Sequence, residues 1–123
     1  MTSFLKMHGL GNDFAIFDAR TFPVPIDAAT AKAVADRRRG IGCDQVIVME
    51  PAKNGAAAFM RIFNADGSDG VMCVNGIRCF AKFSIDRGLV AAPDGRMTVE
   101  TGPGVIPVHA FRGADGTVER VQV

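Results

Sequence analysis

An α+β fold is what this sequence predicts, and three features point to it. Short apolar runs with strand-like alternation recur along the chain, two stretches with helical spacing interrupt them, and beyond Arg96 only strand patterns and turns remain. No linker, low-complexity tract or short-period repeat divides the 123 residues. A single domain spanning residues 1–123 is therefore expected, long enough to bury a core without disulfide or metal staples.

Taken in order, Phe4 to Met7 and Phe14 to Asp18 read as strands, joined by the loop from His8 to Asp13, whose glycines flank an Asn-Asp pair. After Pro23 and Pro25 a helix is predicted, with Asp27 as N-cap, Ala28 to Arg39 as body and Gly40 as stop. Ala28, Ala31, Val34 and Ala35 form its apolar stripe and are expected in the core. Arg37-Arg38-Arg39 then falls in its last turn, where cations oppose the negative end of the dipole.

A second Gly-rich loop, Gly40 to Gln45, leads into the apolar strand Val46 to Met49. Residues 51–55 make a turn, and Phe59 to Phe63 is a strand running into Asn64-Ala-Asp-Gly67. Asn75-Gly76 opens a second helix that continues to about Arg87, with Ile77, Phe80, Ala81 and Ile85 on one face and Gly88 ending it. The strands Met97 to Thr101, Val105 to Phe111 and Val118 to Val123 complete the chain, with turns at residues 102–104 and 113–116.

Composition narrows the functional classes. Hydrophobic residues make up 48% and charged residues 22%, ordinary for a globular protein, and the net charge is +1. With the charges interspersed, neither nucleic acid nor a membrane surface is an expected partner. No apolar run approaches the ~18 residues that span a bilayer, and the N-terminus lacks the apolar stretch of a signal peptide. An odd count of 3 cysteines argues against a disulfide framework and favours a reducing, cytoplasmic setting. Cys43, Cys73 and Cys79 lack the paired spacing of a zinc site, and His8 and His109 are isolated, so no metal is expected.

The chemistry concentrates in the loops. Asn12, Gln45 and Asn64 carry amide side chains that both donate and accept without charge, which suits a small zwitterion whose ammonium and carboxylate need opposite partners. Cys73 stands just before the second helix, where Asn75 and Gly76 offer unpaired backbone N–H groups to a carboxylate. A helix dipole supplies typically ~0.3–1 kcal/mol and rarely ~2, against ~1.4 kcal/mol per pKa unit. From a free thiol near ~8.5 the dipole alone reaches ~7 at best, so a thiolate needs further hydrogen bonds or a ligand ammonium. On these grounds Cys73 is either a reactive thiol or a small buried hydrophobe; Cys79, inside the helix, reads as core, and Cys43 reads either way.

Three blocks resolve the choice by resemblance. The segments from Met7 to Phe14, from Gly40 to Gln45, and from Asn64 to Ser68 continuing through Cys73 to Cys79, in this order and spacing, are similar to the N-terminal half of diaminopimelate epimerase. The likeness covers essentially the whole chain. It implies one lobe of a two-lobed fold, a β-rich barrel-like sheet around a central helix, with the active site between lobes. It also implies a cofactor-independent isomerase that interconverts LL- and meso-diaminopimelate, on the route to lysine and peptidoglycan precursors, using one cysteine on each face of the α-carbon. Cys73 matches the first of those cysteines, and Asn12, Gln45, Asn64, Val74 and Asn75 match substrate-binding positions.

The chain departs from the family pattern at Val74, where the family has glycine: a β-branched residue is expected to narrow a carboxylate's approach to the backbone N–H. The second lobe, with its cysteine, has no counterpart in these 123 residues. Cys73 alone is therefore expected not to epimerise efficiently, and a C-terminal lobe is the expected partner. Two alternatives stand beside this reading. One is a related two-lobed racemase acting on another amino acid. The other is a non-catalytic ligand-binding or self-pairing lobe, in which a homodimer would bring two copies of Cys73 across one cleft.

Overall fold

The computed structural model describes residues 4–9, 12–20, 26–52, 55–70, 74–102 and 104–123. Cys73 lies outside these residues, as do Leu10, Gly11, Pro23, Pro25 and Pro103. Among the described residues the elements run β1 (Leu5–Gly9), β2 (Asn12–Asp18), α1 (Ala28–Ala35), β3 (Gln45–Glu50), β4 (Ala58–Asn64), α2 (Val74–Asp86), β5 (Arg96–Thr101), β6 (Gly104–Arg112) and β7 (Val118–Gln122). The α+β expectation holds.

All strands join one mixed sheet in sequence order. β2 with β3 and β4 with β5 are parallel, and the remaining neighbours are antiparallel. Each parallel pair needs a crossover, and α1 and α2 supply one apiece. α2 packs against β1, β2, β6 and β7, which include both edges of the sheet. Seven strands at ~4.8 Å spacing would span ~29 Å if flat, far more than a ~10–12 Å helix can touch at both sides. The sheet is therefore curled around α2, as the barrel-like expectation required.

Alternation along the strands divides the core in two. Phe14 and Ile16 of β2, Ile47 and Met49 of β3, and Met60 and Ile62 of β4 face inward with Ile77, Phe80 and Ala81 of α2. Ala15 and Phe17, Val46 and Val48, and Phe63 face outward and meet Ala31 and Ala35 of α1. Central strands buried on both faces explain why β3 reads as a continuous apolar run. α2 is likewise buried beyond the one predicted face: Cys79, Phe83 and Ser84 are enclosed as well, because the sheet wraps the helix.

Several boundaries shift from the sequence reading. Asp27 caps α1 as expected, accepting from the Thr30 N–H at 2.8 Å. The helix nevertheless ends at Ala35, not Arg39, because the Asp36 carboxylate takes the N–H groups of Arg38 (2.8 Å) and Arg39 (3.2 Å) and turns the chain. Arg37-Arg38-Arg39 is thus a turn rather than a helix end, and Gly42 and Cys43 donate back to the Val34 and Ala35 carbonyls. Ala28, assigned to the core from its spacing, is exposed. Asn12 and Asp13, read as loop, belong to β2, where they pair with Gly9 and His8.

Candidate substrate site

The amide residues converge at one end of the sheet. Asn12 opens β2, Gln45 opens β3 and Asn64 closes β4; in register, Phe14 lies opposite Gln45 and Gln45 opposite Asn64. Strand alternation then sets their direction. Asn12 shares a face with Phe14, Gln45 with Ile47, and Asn64 with Ile62, all of which face α2. The three amides therefore extend the inner row of the sheet past the last apolar side chain, on the side of α2.

Hydrogen bonds order Gln45 and Asn64. Gln45 donates from Nε2 to Asn64 Oδ1 at 3.2 Å. Asn64 in turn donates from Nδ2 to Ser68 Oγ at 3.1 Å and to the Asp69 carbonyl at 3.3 Å. These bonds hold the chain as it doubles back along β4, where Asp69 bridges Phe63 and the Gly70 N–H reaches the Ile62 carbonyl at 2.8 Å. In sequence, that returning segment precedes residues 71–73, which lie outside the described residues, and then the start of α2. Asn64 thus belongs both to the amide row and to the segment that returns along β4.

At the head of α2, Val74 is 43% exposed and Asn75 is half-buried. Asn75 lines a cleft of about 710 Å³ running along α2 beside β7, with Met7, Arg78, Lys82 and Arg120 among its other walls. Asn12, Gln45 and Asn64 are not part of that lining. The other two cysteines are buried in the core, and Cys79 also reaches the wall of this cleft. Cys79 is buried within α2, and Cys43, the ambiguous one, is buried against β2 and β3. Burial pushes the Cys43 thiol above its ordinary pKa, which keeps it neutral and unreactive near pH 7.

A group of charges that the sequence reading passed over sits on the opposite face of the same strand ends. Arg37 donates to Asp13 through Nη1 at 3.2 Å and Nη2 at 3.0 Å, and its Nη2 also reaches Asp44 Oδ1 at 3.1 Å. Lys6 Nζ lies 3.4 Å from Asp13 Oδ2. The Arg37 guanidinium holds the Asp13 carboxyl well below the usual carboxylate range; burial opposes this, while the Asp44 backbone N–H and Lys6 add to it. The signal available in the sequence was adjacency: Asp13 follows Asn12, and Asp44 precedes Gln45. Among the described residues no group of three His, Cys, Asp or Glu side chains is placed to hold a metal ion, and no helix is long and apolar enough to cross a membrane.

The family model for diaminopimelate epimerase matches residues 4–120. The chain belongs to the diaminopimelate epimerase family. It is 49% identical over 118 residues to the diaminopimelate epimerase of Rhodospirillum centenum, covering 94% of this chain and 38% of that protein. Among solved structures, it resembles a probable proline racemase from Agrobacterium radiobacter K84 with a TM-score of 0.75 at 19% identity, over 98% of this chain and 40% of that one. A hydroxyproline epimerase from Agrobacterium vitis gives 0.74 at 18% identity, over 96% of this chain and 39% of that one. These two likenesses concern the fold. The chain thus spans somewhat over a third of the length of its diaminopimelate epimerase relative, and its curled sheet around α2 is the lobe expected of that family.

Proposed function

We propose that this chain is the N-terminal lobe of a cofactor-independent diaminopimelate epimerase, working in the reducing cytoplasm and supplying one of two cysteine acid–bases. The observation that carries the reading is the inner amide row, with Gln45 on Asn64 at 3.2 Å and Asn64 on the segment leading to Cys73. Asn12, Gln45 and Asn64 offer neutral donors and acceptors to the ammonium and carboxylate groups of a diamino diacid. The N–H groups of Val74 and Asn75, in the first turn of α2, receive the carboxylate beside the reacting carbon.

In the proposed reaction the Cys73 thiolate removes the α-proton and becomes a thiol. The electron pair left on the α-carbon then takes a proton from a second thiol on the opposite face, which becomes the thiolate. A single cysteine would return the proton to the face it came from, so the second thiol must come from a C-terminal lobe. Neither Cys43 nor Cys79 serves, since both are buried in packing.

The test is to combine the chain with a separately produced C-terminal lobe of the family and follow α-proton exchange of LL-diaminopimelate in D2O by NMR. Exchange is expected, and Cys73→Ala should abolish it. A well-folded mixture in which no exchange occurs would overturn the proposal. Val74, which replaces the family glycine, favours one second reading: a related racemase with another amino-acid substrate. Comparing exchange on diaminopimelate, proline and glutamate in the same mixture separates the two. If no substrate exchanges and sedimentation shows a dimer, the self-pairing lobe is the better reading.

A further inference from the structure

We infer that Asp13, Arg37 and Asp44 form a positioning clamp that sets the amides of Asn12 and Gln45 from behind the sheet; the inference rests on the substrate reading above for its purpose, though not for its geometry. Regular pairing of β2 with β3 begins at Phe14 opposite Gln45. One step further out, Asp13 and Asp44 continue it by exchange. The Asp44 N–H reaches the Asp13 carbonyl at 3.1 Å and its Oδ1 at 2.8 Å, while the Asp13 N–H reaches Asp44 Oδ2 at 3.1 Å. Two carboxylates this close repel unless cations join them. Arg37 spans both, and Lys6 adds a second positive charge at Asp13.

The placement relative to the amide row is what gives the clamp a role. Asp13 shares the outer face with Ala15 and Phe17, so it lies across the sheet from Asn12. Each aspartate is the chain neighbour of an amide residue, and the clamp bonds their backbones together where parallel strands would otherwise fray. The Asp13 side chain is 11% exposed and Arg37 57% exposed, so the anion is enclosed while its cation comes from the turn after α1. That turn exists because Asp36 ends α1 early. A planar fork that meets one carboxylate with two bonds and a second with one is a task for arginine, which lysine cannot reproduce with a point charge. The clamp touches no reacting atom; it fixes the angle at which Asn12 and Gln45 meet a ligand.

The experiment uses the 123-residue chain, labelled with 15N and 13C. In Arg37→Gln, the side-chain NH2 signals of Asn12 and Gln45 are expected to shift and broaden, while the methyl signals of Val99 and Val108, elsewhere in the sheet, stay in place. Arg37→Lys should restore less than half of the shift, and Arg96→Gln, which loses an exposed pair with Asp94 at 4.0 Å, should leave the amides unmoved. In a parallel titration with LL-diaminopimelate of the chain combined with the C-terminal lobe, Arg37→Gln should weaken binding on the order of tenfold. Unmoved Asn12 and Gln45 amides in a folded Arg37→Gln overturn the clamp, as does full rescue by lysine. If Arg37→Gln loses its dispersed spectrum altogether, the milder Asp44→Asn decides by the same amide readout. If the wild-type chain combined with the C-terminal lobe binds no diaminopimelate, the substrate reading fails while the amide signals still judge the clamp.

Discussion

The two helices do different work on the two faces of one sheet. α1 has 8 residues and buries only Ala31 and Ala35, whereas α2 has 13 and buries Gly76, Ile77, Cys79, Phe80, Ala81, Phe83, Ser84 and Ile85. α2 is the axis around which the sheet curls; α1 is a cover on its outside. The candidate substrate groups side with α2, and the charges that hold them side with α1. Chemistry is thus attached to the rigid, deeply packed face, while its alignment depends on the lighter one.

The largest test of that contrast is in the core. Phe80→Ala removes a fully buried ring from α2 and should cost about 3–5 kcal/mol, whereas Ala31→Gly in α1 should cost about 1–2 kcal/mol. Denaturant unfolding of both variants checks the ratio, and equal costs would remove the distinction between axis and cover. Next in size is Gly67, where the turn after β4 meets the start of α1. It adopts φ +87°, and an added Cβ would overlap the Ala28 carbonyl. Gly67→Ala should cost about 1–3 kcal/mol and disturb α1 before α2, readable as earlier amide exchange at Ala31 than at Phe80.

An acid titration sharpens the outer face. The Asp13 carboxyl is held below its ordinary range when folded. Its contribution to stability is therefore fully present above about pH 4 and is lost as pH falls through the folded value. The melting-temperature gap between wild type and Asp13→Asn should be widest above about pH 4 and close on acidification. A gap that stays constant with pH would mean that the Arg37 pairing is not what stabilises Asp13. The smallest stability effect is expected at Val74→Gly, about 0.5–1 kcal/mol at an exposed helix start. The same change should tighten diaminopimelate binding by opening the backbone N–H, and weaker binding would instead count Val74 as a contact.

Legibility followed the range of the forces involved. Asp27 was readable because a cap is local, bonding its carboxylate to an N–H three residues on. The end of α1 was not, since Asp36 turning the chain competed with an apolar and basic run that favours more helix. Asn12, Gln45 and Asn64 could be named as amides in loops and by family likeness, yet their common face came only with strand register. The same holds for Asn12 and Asp13, which read as loop until β1 pairs with them.

What the sequence determined by itself was the type and order of elements, the apolar faces and the family, because propensity, periodicity and motif spacing all act within a few residues along the chain. Only the tertiary structure decided that Arg37 binds Asp13 across 24 positions, and that Asp13 and Asp44 close a strand pair across 31. Those contacts link groups that are distant in sequence, and their strength depends on burial and fixed geometry, which exist only once the sheet has curled around α2.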